Sequence, residues 1–185
     1  LPFWLTFFTS LFIGIEVGIF SGTALMLAVH LARTARLQVT ELGNIPGTEH
    51  YREVDVYETE TNQHTLILRP DESLYFANVQ YLSRKILNVL AERPQVRYVI
   101  LACGSVNRLD GSALQRLAEL SRDLQAAEIR LLFAEFKEKV RSRVEDTRFV
   151  NHIDNDRIYP TTHDAMLAIR EWEGEDEGMY AHWLL

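Results

Sequence analysis

An apolar stretch of membrane character runs directly into a charged, mixed-pattern sequence, and no one soluble core accommodates both. From Leu1 to Leu31 the only formally charged residue is Glu16. Apolar residues occupy every helical face there, with Phe7, Phe8, Leu11, Phe12 and Ile13 in near succession. A helix apolar all round is buried in a large core or in lipid. The rest of the 185-residue chain is too small to bury it, so lipid is the expected surrounding. As one straight helix, residues 1–31 would be roughly 46 Å long at 1.5 Å per residue. The hydrocarbon core is about 30 Å thick. The Gly14-Ile15-Glu16 break therefore predicts a hairpin with arms Leu1 to Ile13 and Val17 to Leu31. Glu16 then sits near the turn and the interface. Gly14, Gly18 and Gly22 recur every fourth residue, a small-residue stripe that lets another helix approach closely. Arg33 and Arg36 follow the second arm and place that end in the cytoplasm by the positive-inside bias. Leu1 is preceded by no basic region and no cleavage site follows, so a signal peptide is not expected and the chain reads as starting within a longer protein.

Beyond Arg36 the pattern changes. Gly43, Asn44, Pro46 and Gly47 cluster as linker signals. Strands are predicted at 53–57, 64–68, 97–102 and 129–134, with a last one at Ile158 and Tyr159. Val79, Leu82, Ile86 and Val89 step by three and four and predict a helix over 77–91. Leu114, Leu117, Leu120 and Leu124 do the same after a cap at Asp110 or Ser112. Phe136, Val140 and Val144 mark a short helix, and Thr161 or Thr162 caps a final one reaching about Ile169. Alternating strands and helices predict an α/β domain with a mixed sheet and packed helices. The expected divisions are a transmembrane helical segment 1–36, a linker 37–52, the α/β domain 53–170 and an acidic tail 171–185. The tail holds five of the acids behind the net charge of −7 and no Lys or Arg, and is expected to be disordered or loosely docked, with Trp183, Leu184 and Leu185 as docking residues.

Several chemistries are disfavoured. No Lys/Arg-rich block points to nucleic acid. The six histidines, His30, His50, His64, His152, His163 and His182, form no ligand pair, so no metal is expected. The single Cys103 rules out an intrachain disulfide and reads as a packed thiol. No phosphate-cradling glycine motif or hydrolase motif occurs, so no cofactor and no enzymatic activity are expected. Lys137, Lys139, Arg141 and Arg143 alternate with acids as a solvated helix face, with anionic lipid as an alternative contact.

Four strings carry a family resemblance: EVGIFSG (16–22), LGNIPGTEHY (42–51), VDVY (54–57) and ILRPDESLYFAN (67–78). Together they resemble the end of SulP-type anion permeases, where the last membrane helix leads through a linker to a cytoplasmic STAS domain. The resemblance implies secondary transport of sulfate or a related inorganic or small organic anion in the cell membrane, with the transport site in helices preceding Leu1. It implies a STAS-like sheet fold, a regulatory role, the protein's own membrane domain as partner and a homodimer. In related sigma-factor regulators an Asp-Ser-Ser-Gly string carries a phosphorylated serine just after the Asp. Here Asp110 is followed by Gly111, and Ser112 comes next, so the loop Asp110-Gly111-Ser112 is the candidate regulatory or anion- or nucleotide-binding site, with a plain helix cap as its structural alternative. The rival reading of the whole chain is a membrane-tethered STAS signalling module that binds a partner protein or nucleotide and transports nothing.

Overall fold

The computed structural model describes residues 2–34, 37–146 and 157–182. They form two units, residues 1–36 and 37–185. In the first, α1 (Pro2–Phe12) and α2 (Ile15–Thr34) make a hairpin. The chain turns at Gly14, whose φ of +138° few L residues adopt. Both arms differ from their expected bounds. The second is the longer, and its 20 residues span about 30 Å, a bilayer's hydrocarbon thickness. Glu16 lies in its first turn, where the helix dipole favours a carboxylate. The window Ile15–Ala32 has a mean hydropathy of 1.7 and is apolar and long enough to cross a membrane.

The glycine stripe closes this hairpin on itself. A methyl group on Gly18 would collide with the Ser10 hydroxyl, and one on Gly22 with that of Thr6. Between them the Thr9 and Ser21 hydroxyls meet at 3.2 Å. Two of the three glycines are thus spent on the α1–α2 contact.

The second unit is a six-stranded mixed sheet in the order β2-β1-β3-β4-β5-β6. Its strands are β1 (Val39–Asn44), β2 (Tyr51–Glu53), β3 (Thr65–Pro70), β4 (Tyr98–Ala102), β5 (Arg130–Ala134) and β6 (Ile158–Tyr159). β1 pairs antiparallel with both β2 and β3, and the remaining neighbours are parallel. Helices α3 (Val79–Glu92), α4 (Gly111–Ala126) and α5 (Glu138–Asp146) belong to the core on one face, and α6 (Thr162–His182) to that on the other. Because both faces are covered, all five β4 residues are buried, which is why YVILA reads as an unbroken apolar run. Leu66, Leu68, Val99, Leu101, Leu131 and Phe133 meet Leu82, Ile86, Leu117 and Leu120 on the first face. Ile67, Tyr98, Ile100 and Leu132 meet Ala165, Met166, Ile169 and Trp172 on the second.

Three expectations are corrected. The stretch 37–52 is not a free linker: Leu37 is buried, and β1 occupies the interior of the sheet between β2 and β3. The strand expected at 53–57 is instead β2 at Tyr51–Glu53, followed by a turn in which Val54 and Val56 bond back to Glu41 and Glu53 carbonyls. Residues 171–182 of the tail continue α6 as helix rather than trailing off. Trp172 anchors that continuation by stacking on Tyr98 at 6.2 Å, with the Arg130 guanidinium 4.7 Å from the indole. Trp183, Leu184, Leu185 and His152 lie outside the described residues.

Candidate functional site

The candidate loop lies at the carboxyl end of β4. The chain leaves the strand through a short 3-10 turn, Cys103–Ser105, and enters α4 at Gly111. Asp110 is the cap: its backbone is extended (φ −86°, ψ 168°) and its Oδ1 accepts from the Ala113 N–H at 2.7 Å. Its other oxygen is also engaged. Oδ2 accepts from the Phe76 N–H at 3.1 Å, thirty-four residues away in sequence. Around this carboxylate two loops are zipped together: the Leu74 N–H donates to the Arg108 carbonyl at 3.0 Å and the Asp110 N–H to the Leu74 carbonyl at 3.2 Å.

The facing loop is held by a residue that sequence reading treated only as part of a string. Asn78 is fully buried, accepts from the Tyr75 N–H at 3.0 Å and donates to the Ser73 carbonyl at 2.9 Å. A polar residue immediately before a helix, behind two aromatics, was the available signal. Asn78 folds the Ser73–Asn78 segment into a compact turn. That turn presents its backbone to Asp110 and leaves Phe76 68% exposed. A cleft of about 400 Å³ results, lined by Ser73, Leu74, Tyr75, Arg108, Leu109 and Asp110.

Gly111 and Ser112 occupy the first turn of α4, both exposed. Nothing lies within 4 Å of where a Cβ on Gly111 would stand. The first-turn amides carry the positive end of the helix dipole. Asp110 already supplies a negative charge there, so an arriving anion would meet a helix start whose partial positive charge is already compensated. The loop thus holds Asp110 as a structural bracket, with Gly111 and Ser112 facing outward beside it.

The other singled-out groups sit elsewhere. Cys103 is buried, and burial first, then the nearby Glu135 carboxylate, pushes its thiol well above the ordinary range, so it is not a nucleophile. Glu135 leaves β5 with a φ of +64° and accepts from the Thr162 hydroxyl at 2.6 Å. Lys137, expected on a solvated face, reaches Asn107 of the candidate loop at 2.5 Å. His64 Nδ1 lies 3.0 Å from the Gln95 carbonyl, and His163 Nε2 lies 4.0 Å from Glu49. Among the described residues no three His, Cys, Asp or Glu side chains converge on one point.

The comparisons with known proteins agree with this geometry. A family model described as STAS domain matches residues 56–165. High affinity sulfate transporter 2 of Stylosanthes hamata is 29% identical over 170 residues, which cover 86% of this chain and 26% of that protein. Sulfate transporter 1.2 of Arabidopsis thaliana is 28% identical over 172 residues, covering 88% and 26%. The chain therefore spans about a quarter of the length of these relatives. Among solved structures, the murine Solute Carrier 26 family member A9 anion transporter in the inward-facing state superposes with a TM-score of 0.74 at 20% identity, covering 92% of this chain and 28% of that one. The SulP transporter STAS domain from Vibrio cholerae gives a TM-score of 0.53 at 17% identity, covering 65% and 93%. With its mixed sheet, the β4–α4 loop and the match over 56–165, the chain belongs to the STAS domain family and is homologous to the SulP/SLC26 sulfate transporters.

Proposed function

We propose that the chain is the carboxyl-terminal part of a secondary anion transporter of the cell membrane, carrying sulfate or a related anion. The hairpin is the end of the membrane domain. The STAS domain lies on the cytoplasmic side, the side to which the positive-inside bias of Arg33 and Arg36 in the sequence assigns it. One observation carries this reading. The match to the sulfate transporters covers 86–88% of the chain, a share that residues 37–185 are too short to supply alone. The similarity therefore runs through the junction of the two units, as expected for one continuous machine. Transport itself belongs to helices outside this chain and proceeds by alternating access. The STAS domain's part is to bias that cycle by docking on its own membrane domain and to support a homodimer.

The test is anion uptake by the full-length protein in proteoliposomes. Uptake of sulfate, bicarbonate, chloride or a dicarboxylate is expected, and movement of none of them ends the reading. Crosslinking of the full-length protein in membranes tests the dimer.

A signalling module without transport is the second reading. It draws on the fold shared with a putative anti-sigma factor antagonist from Thermotoga maritima (TM-score 0.53, 17% identity). The loop chemistry weighs against it. The position after Asp110 bears no hydroxyl, and both Asp110 oxygens are taken by backbone amides. Ser112 remains the one exposed hydroxyl of the loop, and mass spectrometry of the protein from its native cells decides whether it carries phosphate.

A further inference from the structure

A second cleft of the sheet domain, about 220 Å³ in volume, lies on the α6 face of the sheet and shares no residue with the cleft at Asp110. Its apolar wall comes from β1, β3 and α6, through Leu42, Ile67 and Met166. Its charge comes from Arg170, one turn beyond Met166, and from Glu60 in the β2–β3 connection, both exposed. The frame is fixed in advance. Glu60 and Asn44 exchange two backbone hydrogen bonds, at 2.8 and 2.9 Å, which hold the connection against β1. The Asn62 side-chain oxygen accepts from the His64 N–H at 2.7 Å, which leaves its amide nitrogen to donate.

Thr65 marks the cleft as a site. It opens β3, lines the cleft, is only 6% exposed, and its hydroxyl has no hydrogen-bond partner among the described residues. Buried hydroxyls are nearly always satisfied, and one left over beside a cleft is a group that a bound molecule can engage. Neither the Arg170 guanidinium nor the Glu60 carboxylate makes a hydrogen bond or ion pair among the described residues. Glu41, the other acid of the lining, is already paired with Arg93. Burial raises the Tyr51 hydroxyl's pKa more than nearby Arg170 and Asn44 lower it, so it stays protonated and can donate.

The uncommitted charges therefore number one of each sign. A dianion would meet Glu60 as well as Arg170 and leave that repulsion uncompensated. A molecule that carries both a carboxylate and an ammonium group answers both charges. The volume lies below the roughly 300 Å³ at which pockets for drug-sized molecules begin, so the molecule is small.

We propose that this cleft binds a small aliphatic amino acid. Its carboxylate takes Arg170 and the Asn62 and Thr65 donors, its ammonium takes Glu60, and its side chain rests on Leu42, Ile67 and Met166. The occupant ties α6 to the β1–β2 hairpin. Binding needs only the sheet domain, so it does not depend on the transporter reading.

The test is equilibrium dialysis of the detergent-solubilised full-length protein against radiolabelled L-alanine and L-valine, with radiolabelled acetate and ethylamine as ligands that carry one charge each. At least one of the amino acids is expected to bind about tenfold more tightly than acetate or ethylamine. Arg170→Gln and Glu60→Gln are each expected to weaken that binding about tenfold. Glu60→Gln is also expected to leave acetate binding unchanged or tighter, a signature that simple unfolding does not give. Thr65→Val, which keeps the shape, is expected to weaken amino-acid binding several-fold without lowering the melting temperature. Failure of both amino acids to bind overturns the proposal. Binding that Arg170→Gln and Glu60→Gln leave unchanged places the ligand elsewhere in the protein and overturns it too. Acetate held as tightly as the amino acids makes the cleft a plain anion site, with the same consequence. None of these measurements involves uptake, so each leaves the transporter reading to its own test.

Discussion

The hairpin and the sheet domain use the same apolar residues to opposite ends. In the domain, Phe133, Leu82 and Ile100 are completely enclosed, and charged residues face outward. In the hairpin, Phe12 and Phe20 are each 78% exposed, while what lies hidden at the contact is Gly18, Gly22 and the hydroxyls of Thr6, Ser10 and Thr9. Water drives large side chains inward. Lipid exerts no such drive, so close backbone approach and hydrogen bonds hold the helices instead. The contrast shows that each unit is built for its own solvent, and that burial means different things on the two sides of Leu37.

The comparison breaks first at the glycines. Gly22→Leu places a large side chain where even a methyl group collides with Thr6. Overpacking of this kind costs about 1–3 kcal/mol, and a leucine, far larger than the methyl group, belongs at the upper end. Loss of the full-length protein's monodisperse peak in size-exclusion chromatography is expected, whereas Gly111→Ala, in open space, leaves the peak intact. Phe133→Ala is the domain's counterpart. It opens a cavity beside Phe136, stacked at 5.7 Å, and is expected to cost about 3–5 kcal/mol, read as faster hydrogen exchange across β4 and β5. Asp110→Ala removes both the α4 cap and the tie to Phe76, for roughly 2 kcal/mol in all, with exchange rising in the Ser73–Asn78 turn as well as in α4.

A pH titration sharpens the contrast within the domain. The Cys103 thiol starts from an ordinary value of 9.0 and is raised on folding, so it stays protonated in the folded state while the unfolded thiol ionises. Its contribution is fully present below pH 9 and is lost as pH rises above it, at about 1.4 kcal/mol per pH unit. Cys103→Ala is expected to flatten that slope in denaturation curves taken between neutral and strongly alkaline pH. The smallest effect belongs to the surface. Arg93 holds Glu41 through two contacts, at 2.6 and 3.1 Å, but is 44% exposed, and Arg93→Ala is expected to shift stability by less than about 1 kcal/mol.

Periodic segments were legible from sequence, and punctuated ones were not. α3 and α4 follow their apolar three-and-four steps, and β4 and β5 follow their unbroken apolar runs, because burial there is set by long repeated patterns. β1 was hidden by Gly43, Asn44, Pro46 and Gly47: Pro46 and Gly47 lie in the hairpin loop just after it, but Gly43 and Asn44 are its last two residues, paired with Arg52 and Tyr51. β2 was displaced because Val54 and Val56 look like strand residues, yet their amides close a turn onto Glu41 and Glu53. The extension of α6 was masked by its acids, and the one informative residue, Trp172, finds its partners on two distant strands. At the candidate site the cap was readable, since Asp before a helix is a local signal. The bond from Phe76 to Asp110 was not, because only the folded sheet brings those loops together.

Gly111 has a consequence for how such a loop changes over generations. With open space around its Cα and a φ outside the left-handed region, nothing steric reserves the position for glycine. A single nucleotide change can convert a glycine codon to a serine codon. The scaffold would receive the hydroxyl beside Asp110 without rearrangement. A change of residue at this position would therefore alter the chemistry of the loop while the sheet beneath it stays the same.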